Sequence, residues 1–96
     1  MRGFNYDDYL RISDEINLNR LGSIIEITLM LNHSQMCNYN DDICLDKIEE
    51  LQELLYKISE LKTKAAFHMN HEVYDRCDVY HADIMFQLSM LDGMIK

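Results

Sequence analysis

Cys44, Ile48, Leu51, Leu54, Leu55, Ile58, Leu61, Ala65 and Met69 recur at steps of three and four. At about 100° per residue they fall on one wide stripe, the mark of an amphipathic helix with one face turned inward. Asp46, Glu49 and Glu50 sit early, where the helix dipole favours negative charge, and Lys57, Lys62 and Lys64 sit late, where it favours positive charge. With Asp41 or Asp42 as the N-cap, the pattern predicts a helix over residues 42–69.

A second stripe follows. Val73, Cys77, Tyr80, His81, Ile84, Leu88, Leu91 and Ile95 share a face, and Asp75, Asp78, Ala82, Ser89 and Gly93 lie opposite. The two stripes do not join into one face, and a single helix of roughly fifty residues is unusual in a small domain. A turn near Asn70, which can end one helix and cap the next, predicts a separate helix over 71–95.

The first third is less regular. Asn5-Tyr6-Asp7-Asp8 reads as a cap followed by an acidic first turn, and Ser13-Asp14-Glu15 offers a second start. In Gly22–Leu31, Ile25, Ile27, Leu29 and Leu31 alternate as a strand would. A lone strand, however, has no partner for its backbone groups. The expectation is therefore a helix over 6–32, buried on most sides near its end. A loop over about 33–41 should follow, because Asn, Ser and Asp compete for the backbone and favour turns.

Three helices with short connections imply an all-α fold, a small antiparallel three-helix bundle forming one domain over residues 1–96. The apolar excess at the end of the first helix calls for a cover, and a second copy of the chain, giving a homodimer, is one.

Composition agrees. Apolar residues make up 48% and charged residues 27% of the 96, there is no proline, and glycine occurs three times. That balance suits a folded domain with few, long elements. The net charge of -8 repels nucleic-acid phosphates and anionic membrane surfaces alike. No apolar run reaches transmembrane length, and the opening MRGFNYDDYL has no signal-peptide core. Three cysteines, Cys37, Cys44 and Cys77, are too few and odd for a secreted disulfide scaffold, which predicts reduced thiols and a cytoplasmic protein. Usage poor in Ala and rich in Ile, Asn, Asp, Tyr and Lys fits an AT-rich genome of the kind common in phages and mobile elements.

Candidate chemistry is sparse. His68, His71, Cys77 and His81 hold zinc-type donors, but the spacing H-x2-H-x5-C-x3-H belongs to no zinc module. Cys77 and His81 also lie in the stripe a bundle must bury, so the prediction is a structural corner with no metal and no cofactor. Cys44, in a helix's first turn, is surrounded by Asp41, Asp42 and Asp46, which oppose a thiolate. There is no phosphate loop, nucleophile elbow or H-E-x-x-H, so no catalysis is expected.

Two surface features remain. Asp46, Glu49, Glu50, Glu53 and Glu60 share the outer face of the middle helix, with Asp75 and Asp78 on the last. Such rows either solvate a surface or imitate nucleic-acid phosphates before a basic groove. Off the core stripes, Val79, Phe86 and Met90 align beside Asp83, and Leu45, Tyr56 and Phe67 recur every eleven residues. Apolar groups rimmed by charge mark protein contacts, unless the N-terminal Phe4, Tyr6 and Tyr9 fold over them. The expectation is an acidic, non-enzymatic protein-binding regulator that contacts its partner through Glu49, Glu50, Glu53, Tyr56, Val79, Asp83, Phe86 and Met90. Its concrete form is a phage- or mobile-element-type anti-defence inhibitor of a basic, nucleic-acid-handling host protein. A self-associating structural protein and a small zinc-binding regulator are the alternatives.

Overall fold

The computed structural model describes residues 5–95. The chain forms α1 (Tyr6–Gln35), a single 3-10 turn (Met36–Asn38), α2 (Asp41–Phe67) and α3 (His71–Met94). Among the described residues there is no strand. The three helices make an all-α bundle, 60 × 18 × 16 Å along its principal axes. The α2–α3 hairpin is its most extensive packing, and α1 packs against both.

Each helix starts on an asparagine. The side-chain oxygens of Asn5, Asn40 and Asn70 accept from the backbone N–H of Asp8 (2.9 Å), Ile43 (2.8 Å) and Val73 (3.4 Å). Asn40, not Asp41 or Asp42, therefore caps α2. The two aspartates instead occupy its first turn, where exposed N–H groups favour carboxylates.

Two other expectations are corrected. The polar stretch from Asn32 does not open a loop, because α1 continues to Gln35 and then tightens into the 3-10 turn. Asn32 turns inward, where its side chain is bonded to other side chains and does not compete for the backbone. Met69, expected on the inner stripe, is 69% exposed with φ 56°. It occupies the left-handed position after α2. There Met69 N–H donates to Ala66 O (3.1 Å) and Asn70 N–H to Ala65 O (2.8 Å), the paired bonds that close a helix end.

The strand-like run Ile25–Leu31 is helical. Ile25 is fully buried, while Ile24, Ile27 and Leu31 face outward. The helix satisfies its own backbone groups, which no lone strand could.

The core runs the length of the bundle through Leu18, Ile25, Leu51, Ile58, Ala65, Cys77, Ile84 and Leu91, all inaccessible. Gly22 lets α3 approach α1: a Cβ there would lie 2.6 Å from Tyr80 Oη. The Tyr80 hydroxyl donates onward to Glu26 Oε2 at 3.1 Å. No helix among the described residues is long and apolar enough to cross a membrane.

Candidate functional site

The stretch His68–His81 is a corner. His68 caps α2 and its Nδ1 lies 2.7 Å from Oδ2 of Asp14 on α1. A carboxylate only accepts, so the imidazole donates and its Nδ1 carries the hydrogen. Asn70, besides capping α3, donates from Nδ2 to Arg11 O at 3.2 Å. The corner is thus tied to α1 at two points. His71 is exposed, His81 half-buried and Cys77 fully buried. These four donors do not converge, and among the described residues no three His, Cys, Asp or Glu groups are placed to hold a metal ion.

The thiols follow their surroundings. Cys37 is exposed, while Cys44 and Cys77 are buried. Burial, helped by the negative charge of Asp14, pushes the Cys77 thiol up to about 11. That is the opposite of what a thiolate nucleophile needs.

The residues expected to contact a partner are all exposed, but they divide into two groups. On α3, Asp83, Phe86 and Met90 line an open groove of about 380 Å³ with Leu29, Met30 and His33 of α1. Val79, 60% exposed, lies two turns earlier on the same side. Phe86 is 69% exposed and has acidic Asp83 beside it. The groove exists because helix α1 is long enough to bring Met30 and His33 alongside the last turns of α3.

On α2, Glu50 and Glu53 border a different groove, shared with Ile24 and Thr28 on the other flank of α1. Lys47 Nζ lies 3.2 Å from Glu50 and Lys57 Nζ 3.7 Å from Glu53, so each of these carboxylates has a lysine at hand. Tyr56 lies beside Ser59, Glu60, Thr63 and Lys64 on the back of α2, and Glu49 is exposed on the same helix. On α3, Asp78 is bound by Lys62 Nζ at 2.6 Å, which lowers its pKa and joins α2 to α3. The acidic surface is therefore studded with lysines and is not an unbroken row of carboxylates.

Tyr6 and Tyr9 do not cover the α3 strip. They sit on α1, both exposed, with their rings stacked at 6.3 Å. Phe4 lies outside the described residues.

Sequence reasoning saw an apolar excess late in α1 but did not resolve the surface it makes. Ile12, Ile16, Ile27 and Leu31 form an outer ridge, each about half exposed, opposite buried Leu18 and Ile25. Ile24 and Met30 flank it. The signal was present as a second stripe at steps of three and four, masked because the inner stripe of the same helix is apolar too.

No family model matches the chain, and no curated protein or solved structure matches it.

Proposed function

We propose that this chain is a non-enzymatic protein-binding regulator that docks on a basic partner. The observation carrying this reading is the strip Val79, Asp83, Phe86 and Met90, an exposed aromatic and two aliphatic groups beside a groove and rimmed by carboxylate. Burying an aromatic anchor of this kind is what holds many protein complexes together. The net charge of -8, with Glu49, Glu50 and Glu53 exposed on α2, supplies long-range attraction to a positive surface. A nucleic-acid-handling protein presents such a surface, and an inhibitor of the phage or mobile-element kind, acting in the cytoplasm, is the concrete version.

A photo-crosslinking amino acid in place of Phe86 tests the reading in native host extract, with the captured protein then purified. Supporting outcomes are that its binding weakens steeply with salt and that Phe86→Ala speeds its release. Release unchanged by Phe86→Ala excludes the strip as the anchor, and salt-independent binding excludes a basic partner.

Self-association is a second reading, favoured by a different observation. The outer ridge of α1 is apolar and about half exposed. In this reading the protein is a homodimer. The two readings use neighbouring faces of the bundle that meet at Met30.

A further inference from the structure

Along the ridge of α1, Ile12, Ile16, Arg20, Ser23, Ile27 and Leu31 fall on one stripe, all exposed. Ile12 is 47% accessible, Ile16 50%, Ile27 54% and Leu31 50%. The steps between the six run four, four, three, four, four. An eleven-residue repeat in three turns drifts only slowly around the helix, in the sense of a right-handed supercoil, so a second long helix can follow the stripe with slight coiling. The order of steps is also the same from either end. An antiparallel copy of this helix therefore brings each member level with a counterpart on the partner. Ile12 lies level with the partner's Leu31, Ile16 with the partner's Ile27, and Arg20 with the partner's Ser23.

We infer that a second copy of this chain covers the ridge, α1 packed antiparallel on α1 about a two-fold axis level with Leu21 and Gly22. The inference deepens the self-association reading and rests on it.

Charge selects the direction. A parallel pair would set Arg20 against Arg20 and place the acidic first turns, Asp7 and Asp8, side by side. The antiparallel pair sets Arg20 opposite a serine hydroxyl. It also lays each acidic first turn beside the end of α1 that carries His33, with the two helix dipoles opposed. Arg20 is the sole charge on the six-residue stripe, so little has to be desolvated for the copies to meet.

Area selects the occupant. Ile12, Ile16, Ile24, Ile27, Met30 and Leu31 expose roughly 600 Å² together, the upper end of the largest patch on a typical monomer. A standard interface takes about 800 Å² from each partner, and this apolar face supplies most of it. A closed two-fold dimer buries one such patch on both copies and leaves none to propagate.

The test uses the full chain. Sedimentation at low and high micromolar concentration gives the mass. Crosslinking gives the arrangement, in a Cys37→Ser background that removes the exposed thiol and leaves Cys44 and Cys77 inside. Ile16→Cys and Ile27→Cys are oxidised mildly, each alone and after the two are refolded together. The pair Ile12→Cys with Leu31→Cys repeats the experiment elsewhere on the ridge, and circular dichroism checks that each variant keeps its helices. The expected result is a dimer whose disulfide-linked form appears in the mixtures and not in the single variants. A dimer that links in the single variants overturns the antiparallel arrangement, and a dimer that links in no combination overturns the α1 interface, while self-association stands in both cases. A parent that remains a monomer at every concentration overturns the self-association reading itself and this inference with it.

Discussion

His68 Nδ1, at the end of α2, lies 2.7 Å from Oδ2 of Asp14, a carboxylate on α1 whose side chain is 3% accessible. Fifty-four residues separate the two, so the bond is a tertiary clasp between the hairpin corner and the first helix. A buried carboxylate that loses its partner costs more than the bond was worth. His68→Leu should therefore destabilise the protein by about 3 kcal/mol. Asp14→Leu combined with His68→Leu should recover much of that loss, since no polar group is then left unpaired. Urea unfolding of the two singles and the double gives the coupling. Additive losses would mean that the pair does not interact.

A second clasp lies further along the bundle. Asn32 Nδ2 donates to Gln87 Oε1 (2.9 Å), the Tyr39 hydroxyl donates to Asn32 Oδ1 (2.9 Å), and Gln87 Nε2 donates to Leu29 O (2.9 Å). Asn32 and Gln87 are both buried, and no buried side-chain polar atom among the described residues lacks a partner. Asn32→Leu orphans the Gln87 carbonyl and should cost roughly 1–3 kcal/mol. The double variant with Gln87→Leu should be less destabilised than the sum of the singles, by roughly 0.5–3 kcal/mol for residues in one network. Thermal or urea denaturation of the cycle measures this.

These clasps also mark where sequence reasoning stopped. Helices α2 and α3 were legible because Leu51 and Ile58, or Cys77 and Ile84, point one way while Glu53, Glu60, Asp75 and Asp78 point the other. In α1 the contrast fails: Ile25 is buried and Ile27, two residues on, is exposed, so the run imitates a strand. The first helix was expected to end at Asn32, at the head of a polar run, because the amide partner that holds it inside, Gln87, stands 55 positions away. Nothing local distinguishes a buried asparagine with a distant partner from one that breaks a helix. The exposure of Val79, Phe86 and Met90 was readable from their place off the α3 stripe. That Met30 and His33 of α1 would wall the same groove was not, because it depends on how far α1 extends and on how it packs against the hairpin.

Met69 offers a stabilising change. Its φ of 56° costs an L-residue roughly 1–2 kcal/mol, which glycine does not pay. Its side chain is mostly in water, so little packing is lost. Met69→Gly should raise stability by about 1 kcal/mol, less the entropy glycine adds to the unfolded chain. A lowered urea midpoint would show that the methionine side chain contributes contacts its exposure does not suggest.

Alkaline stability should report on Cys77. Burial first, and then the negative charge of Asp14, raise the thiol from 9.0 to about 11. A raised folded-state value means that the native protein holds the proton more tightly than the unfolded chain does. The stabilisation is complete below pH 9 and is lost as pH climbs towards 11. Each tenfold difference in proton affinity is worth about 1.4 kcal/mol, so the whole window amounts to roughly 3 kcal/mol. Lys62, held by Asp78 and also raised, adds to the decline. Cys77→Ala lowers stability at every pH through the cavity it leaves, but it removes the thiol's share of the slope. The urea midpoint should therefore fall less steeply between pH 9 and 11 in Cys77→Ala than in the parent. Equal slopes would show that the buried thiol is not what titrates.

Gly22 and Tyr80 should show opposite effects of one substitution in two backgrounds. Alanine in a helix interior is favoured over glycine by about 1 kcal/mol, so propensity alone predicts that Gly22→Ala stabilises α1. Packing predicts the reverse, because the new Cβ would sit 2.6 Å from Tyr80 Oη and 2.9 Å from Cζ. The Tyr80 ring tip must move, and its bond to Glu26 goes with it. Overpacking of this sort typically costs about 1–3 kcal/mol, more than the helix gains. Gly22→Ala should therefore destabilise the parent. In a Tyr80→Ala background the obstacle is gone, and the same change should stabilise the protein by up to about 1 kcal/mol. Denaturation of the four proteins in one buffer decides between the two forces. If Gly22→Ala has the same sign in both backgrounds, α1 and α3 are not in contact at this point.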